Sequence, residues 1–333
     1  MIAQDSTLLG GHRQSAPGYT KKLIVTFTIN PALDRTVSVD RLVFEDRAYI
    51  QSRSEDAGGR GINASRVIHS FGGKTLALLT AGGSTGTKIE KFLAKSGFPA
   101  EAMRIKNESR TNLTISDRQG LTIKLNEIGP PISADELKQL YHLVEAVIGK
   151  ASWLMICGSL PPSVPPHFYC ELITLARKRN VKTLLDTDGE ALVHALEARP
   201  SVITPNHQEA ERLLGAVLIT RSQFLEAVDR IRAMGAESVI LSLGSRGAIA
   251  RDAHDTWEAI PPRVDALSPI GAGDAMAAAF VWAMDRKKTF ADALRWGVGT
   301  GTASAKLPGM QFANLAQAKE IYKRVEVTAL GAR

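Results

Sequence analysis

Short apolar segments alternate with helical patterns along most of the chain, and this alternation limits the fold more than any other feature. The apolar segments predict buried strands at Leu23–Ile29, Leu76–Thr80, Trp153–Cys157, Thr183–Asp186, Val202–Thr204 and Val239–Leu243. Helical periodicity between and after them predicts helices at Ile62–Phe71, Ala134–Ile148, Pro166–Lys178, Gln223–Met234 and Ala275–Met284. Buried strands that alternate with helices are typical of an α/β domain with a doubly wound, mostly parallel sheet.

Two segments depart from this rhythm. Thr36–Ser54 alternates between apolar and polar residues without a helical period, and Asn112–Asn126 has the pattern of a hairpin that turns at Asp117–Gly120. Such strands are too few to build a core of their own, so we expect them to form a small β-sheet lid. We interpret residues 1–20 as a flexible extension and residues 21–330 as one domain that carries the lid.

Composition and charge favour an enzyme that acts on anionic substrates. The chain has 41 basic and 34 acidic residues, a net charge of +7 and a pI near 9.4, and a positive field raises the local concentration of anions. The basic residues are scattered and no zinc-ligand spacing occurs, which argues against a nucleic-acid partner. No apolar run reaches the roughly 20 residues that span a bilayer. Two cysteines, Cys157 and Cys170, fit a reducing cytoplasm.

A glycine-rich turn before the apolar helix at Ala275–Met284 is the first candidate for a reactive centre. The turn reads Gly271-Ala-Gly-Asp274. Glycines let backbone N–H groups approach a ligand, and a helix N-terminus adds positive potential. A carboxylate there can accept a proton from a hydroxyl while the N–H groups bind phosphate oxygens, as phosphoryl transfer requires. The same residues also fit a purely structural alternative, a tight turn in which the Asp274 carboxylate interacts favourably with the helix dipole.

A second glycine-rich segment, Ala57–Asn63, precedes the helix that ends at Phe71. Within it, Gly59, Gly61 and Ala64 match the spacing of a dinucleotide-binding fingerprint. The residues before the segment are not a buried strand, and no acidic residue lies near position 80, so the context excludes that fingerprint. The chain also lacks the GxxxxGK[ST] motif of P-loop nucleotide hydrolases.

Two further segments fit either a phosphate-binding or a purely structural role. Asn206 and Glu209 have the spacing of a helix capping box, and the same two residues can orient phosphates bound to magnesium, which takes few direct protein ligands. The segment Ser242–Gly247 follows a predicted strand. It fits a loop that receives nucleotide phosphates, and it equally fits a simple turn between strands.

Together, and in this order, these segments resemble the PfkB (ribokinase-like) carbohydrate kinases from about Leu23 to Tyr322. The matching motifs are Asn30–Asp34, Gly58–Asn63, Arg110–Asn112, Asn206–Glu209, Ser242–Gly247 and Gly271–Asp274. The chain is most similar to the branch that contains phosphofructokinases and tagatose-phosphate kinases. Within that branch, four segments look most like the minor type of bacterial 6-phosphofructokinase: Ala81–Gly86, Thr111–Leu113, Gly158–Pro162 and Asp186–Leu192.

The resemblance implies a role for each matching residue. Asp274 would be the catalytic base, and the backbone of Gly271, Ala272 and Gly273 would stabilise charge on the moving phosphoryl group. The substrate-binding positions are Asp34, Gly59 and Asn63 for the sugar, and Arg47, Arg110, Asn112 and Ser159 for a phosphate already on it. Arginine suits phosphate because its charge is permanent and its donors are paired.

The resemblance also implies ATP as the phosphoryl donor, with Mg²⁺. Glu209 would act on the metal indirectly, through bound water or phosphate. The nucleotide-binding positions are Asn206, Ser242, Gly244, Gly247 and Thr302. Relatives often pair through their lids, so a cytoplasmic homodimer is expected, without a nucleic-acid or membrane partner.

The expected reaction is phosphorylation of a hexose phosphate, with fructose 6-phosphate converted to fructose 1,6-bisphosphate as the first choice. Fructose 1-phosphate and tagatose 6-phosphate are the alternative substrates. An alternative of a different class is a catalytically silent protein that binds a sugar or a nucleotide, since fold alone does not determine function.

Three positions depart from the family pattern. Arg60 stands where relatives have Lys or Gly, and Thr204 stands where they commonly have Lys. The segment Leu307–Gln311 lacks the polar residues that help frame a monovalent-cation site.

Overall fold

The computed structural model describes residues 23–43 and 45–331. Strands and helices are numbered in chain order. The large sheet contains β1 Leu23–Thr28, β4 Lys74–Gly82, β5 Ala100–Ile105, β8 Ala151–Cys157, β9 Lys182–Asp186, β10 Val202–Ile203, β11 Val239–Ser242, β12 Ala248–Arg251, β13 Thr256–Ile260 and β14 Glu326–Ala329. The small sheet contains β2 Ala32–Val39, β3 Ile50–Gly58, β6 Arg110–Ser116 and β7 Thr122–Asn126. The predicted extension at residues 1–20 lies outside the described residues.

Ten helices connect or flank these strands within the described ranges. They are α1 Arg60–Ser70, α2 Gly83–Ala94, α3 Ala134–Ile148, α4 Phe168–Lys178, α5 Gly189–Leu196, α6 His207–Leu214, α7 Arg221–Ala233, α8 Ala272–Asp285, α9 Phe290–Ala305 and α10 Leu315–Tyr322. Each helix in this part of the chain is too short or too polar to cross a membrane.

The large sheet has the strand order β14-β13-β12-β11-β10-β9-β8-β1-β4-β5. The strands from β11 to β5 are parallel, and β12, β13 and β14 add to one edge as antiparallel strands. The predicted mostly parallel α/β sheet is therefore confirmed. The antiparallel edge was not predicted, because each of its strands has only four or five residues and polar side chains interrupt the apolar pattern.

Both faces of the large sheet are covered, and strand β8 shows how. Leu154 and Ile156 face a cluster that includes side chains of α3, α4, α5 and α7. Trp153, Met155 and Cys157 face the opposite cluster, which includes side chains of α1, α8, α9 and α10. Successive strand residues point to opposite faces, so a continuous apolar run is the pattern that two-sided burial demands.

The small sheet is mixed and packs against the large domain at one end. Strand β2 pairs antiparallel with β3 and parallel with β6, and β6 pairs antiparallel with β7. Leu33 and Ala57 of this sheet share a core with Ile62 and with side chains of α2 and β4. In the β6–β7 turn, the Asp117 carboxylate accepts hydrogen bonds from the N–H groups of Gln119 and Leu121.

The carboxyl ends of the parallel strands meet at one edge of the large sheet. Asn30 follows β1, Ser159 follows β8, and Asp186 is the last residue of β9. Asn206 follows β10, and a bridge joins it to Ser242 at the end of β11. Ligands of doubly wound folds bind at this edge, so the topology brings residues far apart in sequence to one place.

Candidate active site

A hydrogen bond between Asn63 and Asp274 joins the N-termini of two helices. The Asn63 Nδ2 atom, in the first turn of α1, donates to Asp274 Oδ2, in the first turn of α8, at 2.7 Å. Asn63 is 4% exposed, and Asp274 keeps contact with solvent on one side. The amide holds the carboxylate in place at the helix end, so the acceptor oxygen of Asp274 has a defined direction.

The Asp274 carboxyl holds its proton unusually tightly. Burial raises its pKa from the usual 3.8 to about 7, and the nearby Asp186 carboxylate adds to that rise. The hydrogen bond from Asn63 and the charge of Arg60 act in the opposite direction. A carboxyl with a pKa near neutrality can accept a proton and release it again at the pH of the cell.

The turn before α8 is built for close backbone approach. Gly271 has φ of +75°, and a Cβ atom there would lie 2.7 Å from Cε1 of Phe312. Only glycine satisfies both conditions without strain. A Cβ atom at Gly273 would meet no other atom within 4 Å. The first N–H groups of a helix lack intrahelical acceptors, so this open helix end can bind an anion.

Arg60, the first residue of α1, lies among carboxylates from three other elements. Its guanidinium contacts Asp186 at 2.8 Å, Glu209 at 3.3 Å and Asp188 at 3.6 Å. Asp186 and Glu209 are buried, and Asp186 contributes most to a rise in the pKa of Arg60. Burial raises the pKa of Glu209 although Arg60 opposes that rise. In the sequence, Arg60 stands out only as a departure from the family pattern. Asp186 had no predicted role, although a carboxylate that ends a buried strand is the signal that could have identified it.

The sugar side of the site centres on Asp34 in β2. Asn112 of β6 donates from Nδ2 to Asp34 Oδ1 at 2.8 Å, across the register that pairs these two residues. Burial raises the pKa of Asp34, with the Asn112 hydrogen bond opposing it. Gly58 leaves room for the carboxylate, because a Cβ atom there would lie 1.9 Å from Asp34 Oδ2. Gly59, at the N-terminus of α1, has φ of +138°, which requires glycine.

Arg110 is anchored through part of its guanidinium. Its Nε donates to the Asn30 carbonyl at 3.2 Å and its Nη1 donates to the Glu127 carbonyl at 2.8 Å. Asn30 in turn donates from Nδ2 to Ser159 Oγ at 3.4 Å. Burial lowers the pKa of Arg110, and the Asp34 carboxylate opposes that change. A cavity of about 340 Å³ borders the residue, lined by Glu108, Arg110, Glu127, Ile128, Gly129 and Pro130.

Buried oxygen atoms without a hydrogen-bond partner concentrate around this cleft. Within residues 23–43 and 45–331 they include the side-chain oxygens of Thr28, Asn30, Asn63, Asn112, Thr187 and Thr204. An unpaired buried polar atom costs about 1–3 kcal/mol. These unpaired oxygens, which lie at the ends of β1, β9 and β10, in α1 and in β6, therefore suit a ligand rich in hydroxyl groups.

The nucleotide-side candidates lie at the ends of β10 and β11. Asn206 and Glu209 form the predicted capping box, with the Glu209 N–H donating to Asn206 Oδ1 and the Asn206 N–H donating to Glu209 Oε2, both at 2.9 Å. Gly244 and Gly247 have φ of +61° and +92° in the turn between β11 and β12. A Cβ atom at Gly247 would lie 2.0 Å from the Ala259 carbonyl. Thr302 is partly exposed on α9.

Within a single chain, Arg47 does not lie beside the other candidate site residues. Arg47 is exposed in the segment between β2 and β3, and its side chain has no hydrogen bond or ion pair with any other described residue.

A cavity of about 560 Å³ between the end of α2 and the start of β5 is lined by Leu93, Phe98 and Ala100, among others. That cavity lies at the amino end of the sheet, away from Asp274.

Substituting Asp274 tests the burial of its charge. The pKa of this carboxyl is higher in the folded than in the unfolded protein, so the folded protein binds the proton more tightly. The free energy of unfolding therefore falls as the pH rises from 3.8 through about 7. Asp274→Asn removes this loss and keeps an acceptor for Asn63. We expect the free energy of unfolding to rise by roughly 2 to 4 kcal/mol at pH 8, with a smaller gain at pH 4. Urea denaturation at both pH values measures it, and equal gains would contradict an elevated pKa.

Comparisons with known proteins agree with this geometry. The family model described as pfkB family carbohydrate kinase matches residues 27–317. ATP-dependent 6-phosphofructokinase isozyme 2 of Mycobacterium tuberculosis is 32% identical over 298 residues, covering 88% of this chain and 87% of the relative. A 1-phosphofructokinase of Borreliella burgdorferi is 31% identical over 284 residues, covering 85% and 92%.

A solved structure has the same fold. Phosphofructokinase-2 from Escherichia coli in complex with fructose-6-phosphate superposes with a TM-score of 0.84 and is 29% identical, with 91% of this chain and 98% of that chain covered. The family match spans the strands, the small sheet and the turn at Gly271–Asp274 together. The chain therefore belongs to the pfkB family of carbohydrate kinases and is a sugar kinase of the phosphofructokinase type.

Proposed function

We propose that this protein transfers the γ-phosphoryl group of ATP to fructose 6-phosphate and releases fructose 1,6-bisphosphate. The observation that carries the proposal is the Asn63–Asp274 pair at an open helix N-terminus. The pair lies at the same end of the sheet as the Asp34–Asn112 pair and the partly anchored Arg110. A base, an anion-binding helix end and a polar sugar pocket are the parts that a sugar-phosphate kinase needs.

Asp274 is the proposed catalytic base. It accepts the proton of the attacking sugar hydroxyl while the oxygen of that hydroxyl bonds to the γ-phosphorus and the bond from the γ-phosphorus to ADP breaks. A loose transition state requires only a weak base, and a pKa of about 7 suits both uptake and release of the proton. The backbone N–H groups of Gly271, Ala272 and Gly273 stabilise the charge on the transferring oxygens.

The Arg60 guanidinium contacts Asp186, Asp188 and Glu209. Its charge offsets those carboxylates, which would otherwise repel the phosphates of an incoming nucleotide. Asn206, Ser242, Gly244, Gly247 and Thr302 form the proposed nucleotide side, at the ends of β10 and β11 and on α9.

The sugar pocket is proposed to consist of two halves. Asp34 and Asn63 form hydrogen bonds with sugar hydroxyls, and Gly59 allows the sugar ring to approach the backbone. Arg110 binds the 6-phosphate through the guanidinium edge that its two carbonyl contacts leave available, with Asn112 and Ser159 beside it. Arg47 completes the phosphate site only if its loop, or that of a second subunit, closes over the cleft.

Magnesium fits this site as a companion of the nucleotide. No group of His, Cys, Asp or Glu side chains in residues 23–43 and 45–331 has the arrangement of a metal cage, and magnesium commonly keeps several waters and binds through substrate phosphates. Glu209 would contact the metal indirectly, through water or phosphate. Bound there, the ion neutralises phosphate charge, while Glu209 orients the polyphosphate from the start of α6.

Fructose 1-phosphate and tagatose 6-phosphate remain the alternative acceptors. The 31% identity with a 1-phosphofructokinase supports fructose 1-phosphate as the stronger of these two alternatives. A silent binding protein on the same fold is the alternative of another class, and an intact Asp274 held by Asn63 argues against it.

We further propose a homodimer that pairs through the small sheet, which would be the lid. Tyr49, Ile50, Leu121 and Leu125 belong to the small sheet or its connections, and each is more than half exposed. Exposed apolar side chains on one sheet mark an interaction surface.

Cys157 and Cys170 are free thiols, which supports a reducing compartment such as the cytoplasm.

The proposed role of Asp274 is tested by turnover. Asp274→Asn keeps the size and the Asn63 contact but cannot take up a proton, so we expect kcat to fall by about 100-fold or more. Titration of the variant with ATP should give a Kd close to that of the wild type. A variant that retains more than about a tenth of the wild-type kcat would reduce Asp274 to a helix-start residue.

The phosphate site is tested with Arg110→Ala. A charge-assisted arginine–phosphate contact is worth about 1.5 to 3 kcal/mol, so KM for fructose 6-phosphate should rise about 10- to 150-fold with KM for ATP almost unchanged. Arg118→Ala, in the exposed turn of the same sheet, is the matched control. Free fructose should be a poor substrate throughout. Equal turnover of free and phosphorylated sugars by the wild type would contradict a phosphate site.

The metal-nucleotide role of Glu209 is separable from its capping role. Glu209→Gln keeps an acceptor for the Asn206 N–H, so the capping box should persist, while the ion pair with Arg60 is lost. Loss of the carboxylate should raise the magnesium concentration needed for half-maximal rate and lower kcat. An unchanged magnesium dependence, measured by ADP release at fixed ATP, would leave Glu209 with capping alone.

A further inference from the structure

The apolar side chain of Met310 lies next to the Asn63–Asp274 pair. Met310 lies in the segment between α9 and α10, and its Sδ atom is 3.8 Å from the same Asn63 Nδ2 atom that donates to Asp274. Its Cγ atom lies 3.8 Å from the position that a Cβ atom on Gly271 would take. The side chain therefore spans the gap between the N-termini of α1 and α8, above the proposed reactive centre.

The segment that carries Met310 is held at both ends. The Leu307 N–H donates to the carbonyl of Ser304 at 2.9 Å, and the Ala313 N–H donates to the Ser304 hydroxyl at 3.0 Å. Ser304 is 2% exposed. Phe312 packs against Gly271 from the same segment. These anchors hold the ends of the segment, and Met310 between them is 36% exposed.

The position has a chemical consequence for phosphoryl transfer. Water competes with the sugar hydroxyl: its oxygen can bond to the γ-phosphorus as the bond to ADP breaks, which yields ADP and inorganic phosphate after loss of a proton. Excluding water from a closed site suppresses this side reaction. A methionine suits such a cover because its unbranched thioether adapts to irregular surfaces.

We propose that Met310 is a positioning residue that covers Asn63 and Asp274 and directs the phosphoryl group to the sugar hydroxyl rather than to water. This inference rests on the proposed role of Asp274 as base. It also gives a function to Leu307–Gln311, whose apolar character departs from the family pattern. Burial, the first cause of the raised Asp274 pKa, is the physical effect to which Met310 contributes.

Three substitutions isolate the effect. Met310→Ala removes the cover, Met310→Leu keeps its apolar bulk, and Met234→Ala is the control, because Met234 is 40% exposed at the end of α7 away from the cleft. The readout is the ratio of ADP formed to sugar bisphosphate formed. We expect that ratio to rise about fivefold or more in Met310→Ala and to stay at the wild-type value in the other two variants. An unchanged ratio in Met310→Ala, or a Met310→Leu variant as uncoupled as Met310→Ala, would overturn the proposal.

A pH profile gives a second readout that a general structural role would not move. The charged and titratable groups that face Asp274 are Asp186, Arg60, Asp34 and Cys157, and Met310→Ala leaves all of them in place. Water admitted by Met310→Ala stabilises the Asp274 carboxylate, so the acidic limb of kcat/KM should move to lower pH than in the wild type. An unmoved limb would contradict a covering role.

A measurement without substrate separates this inference from the proposed function. The gain in stability at pH 8 from Asp274→Asn should shrink by about half or more in the Met310→Ala background, because the two residues share one buried environment. Urea denaturation of the four proteins measures this. An undiminished gain overturns the inference about Met310 whatever the substrate is. A diminished gain together with no phosphorylation of any sugar phosphate by the wild type would instead leave the cover intact and reject the proposed function.

Discussion

The contact of Arg60 with Asp186, Asp188 and Glu209 is the interaction on which the candidate active site depends. The three carboxylates come from the end of β9, the start of α5 and the first turn of α6, and a guanidinium from α1 holds them within 3.6 Å. Two of them are buried. Removing one partner of a buried ion pair leaves an uncompensated charge, which costs more than the pair itself contributes. The contact therefore links α1 to β9, α5 and α6 and offsets the negative charge of the cleft.

The rest of the site uses backbone where other enzymes use side chains. The open N-terminus of α8 supplies N–H groups, and the glycines before it let Phe312 and Met310 approach the same turn. The proposed catalytic carboxylate, Asp274, gains its elevated pKa from burial and from Asp186, and Asn63 orients it. Partial exclusion of water strengthens each of these effects, so packing around the cleft is part of its chemistry.

Particular residues show how far the sequence alone could lead. The runs at Leu23–Ile29 and Trp153–Cys157 predicted central strands because two-sided burial leaves an apolar run in the sequence. The capping box of Asn206 and Glu209 was predictable because it is local. The antiparallel edge strands were missed, since strands of only four or five residues are too short to show a clear pattern. The partners of Arg60 were also missed, because they lie between 126 and 149 residues away along the chain.

By itself the sequence determined the α/β class and the order of most of its elements, and it supplied the candidates for the reacting groups, because periodicity, glycine and capping signals are local properties of the chain. Its motifs in order also determined the family. Only the tertiary structure decided which carboxylates share Arg60, that Asn63 donates to Asp274, and that Met310 lies against Asn63. Those contacts join segments that parallel strands bring to one edge of the sheet. Burial at that edge, which no local pattern encodes, sets the pKa of the proposed base.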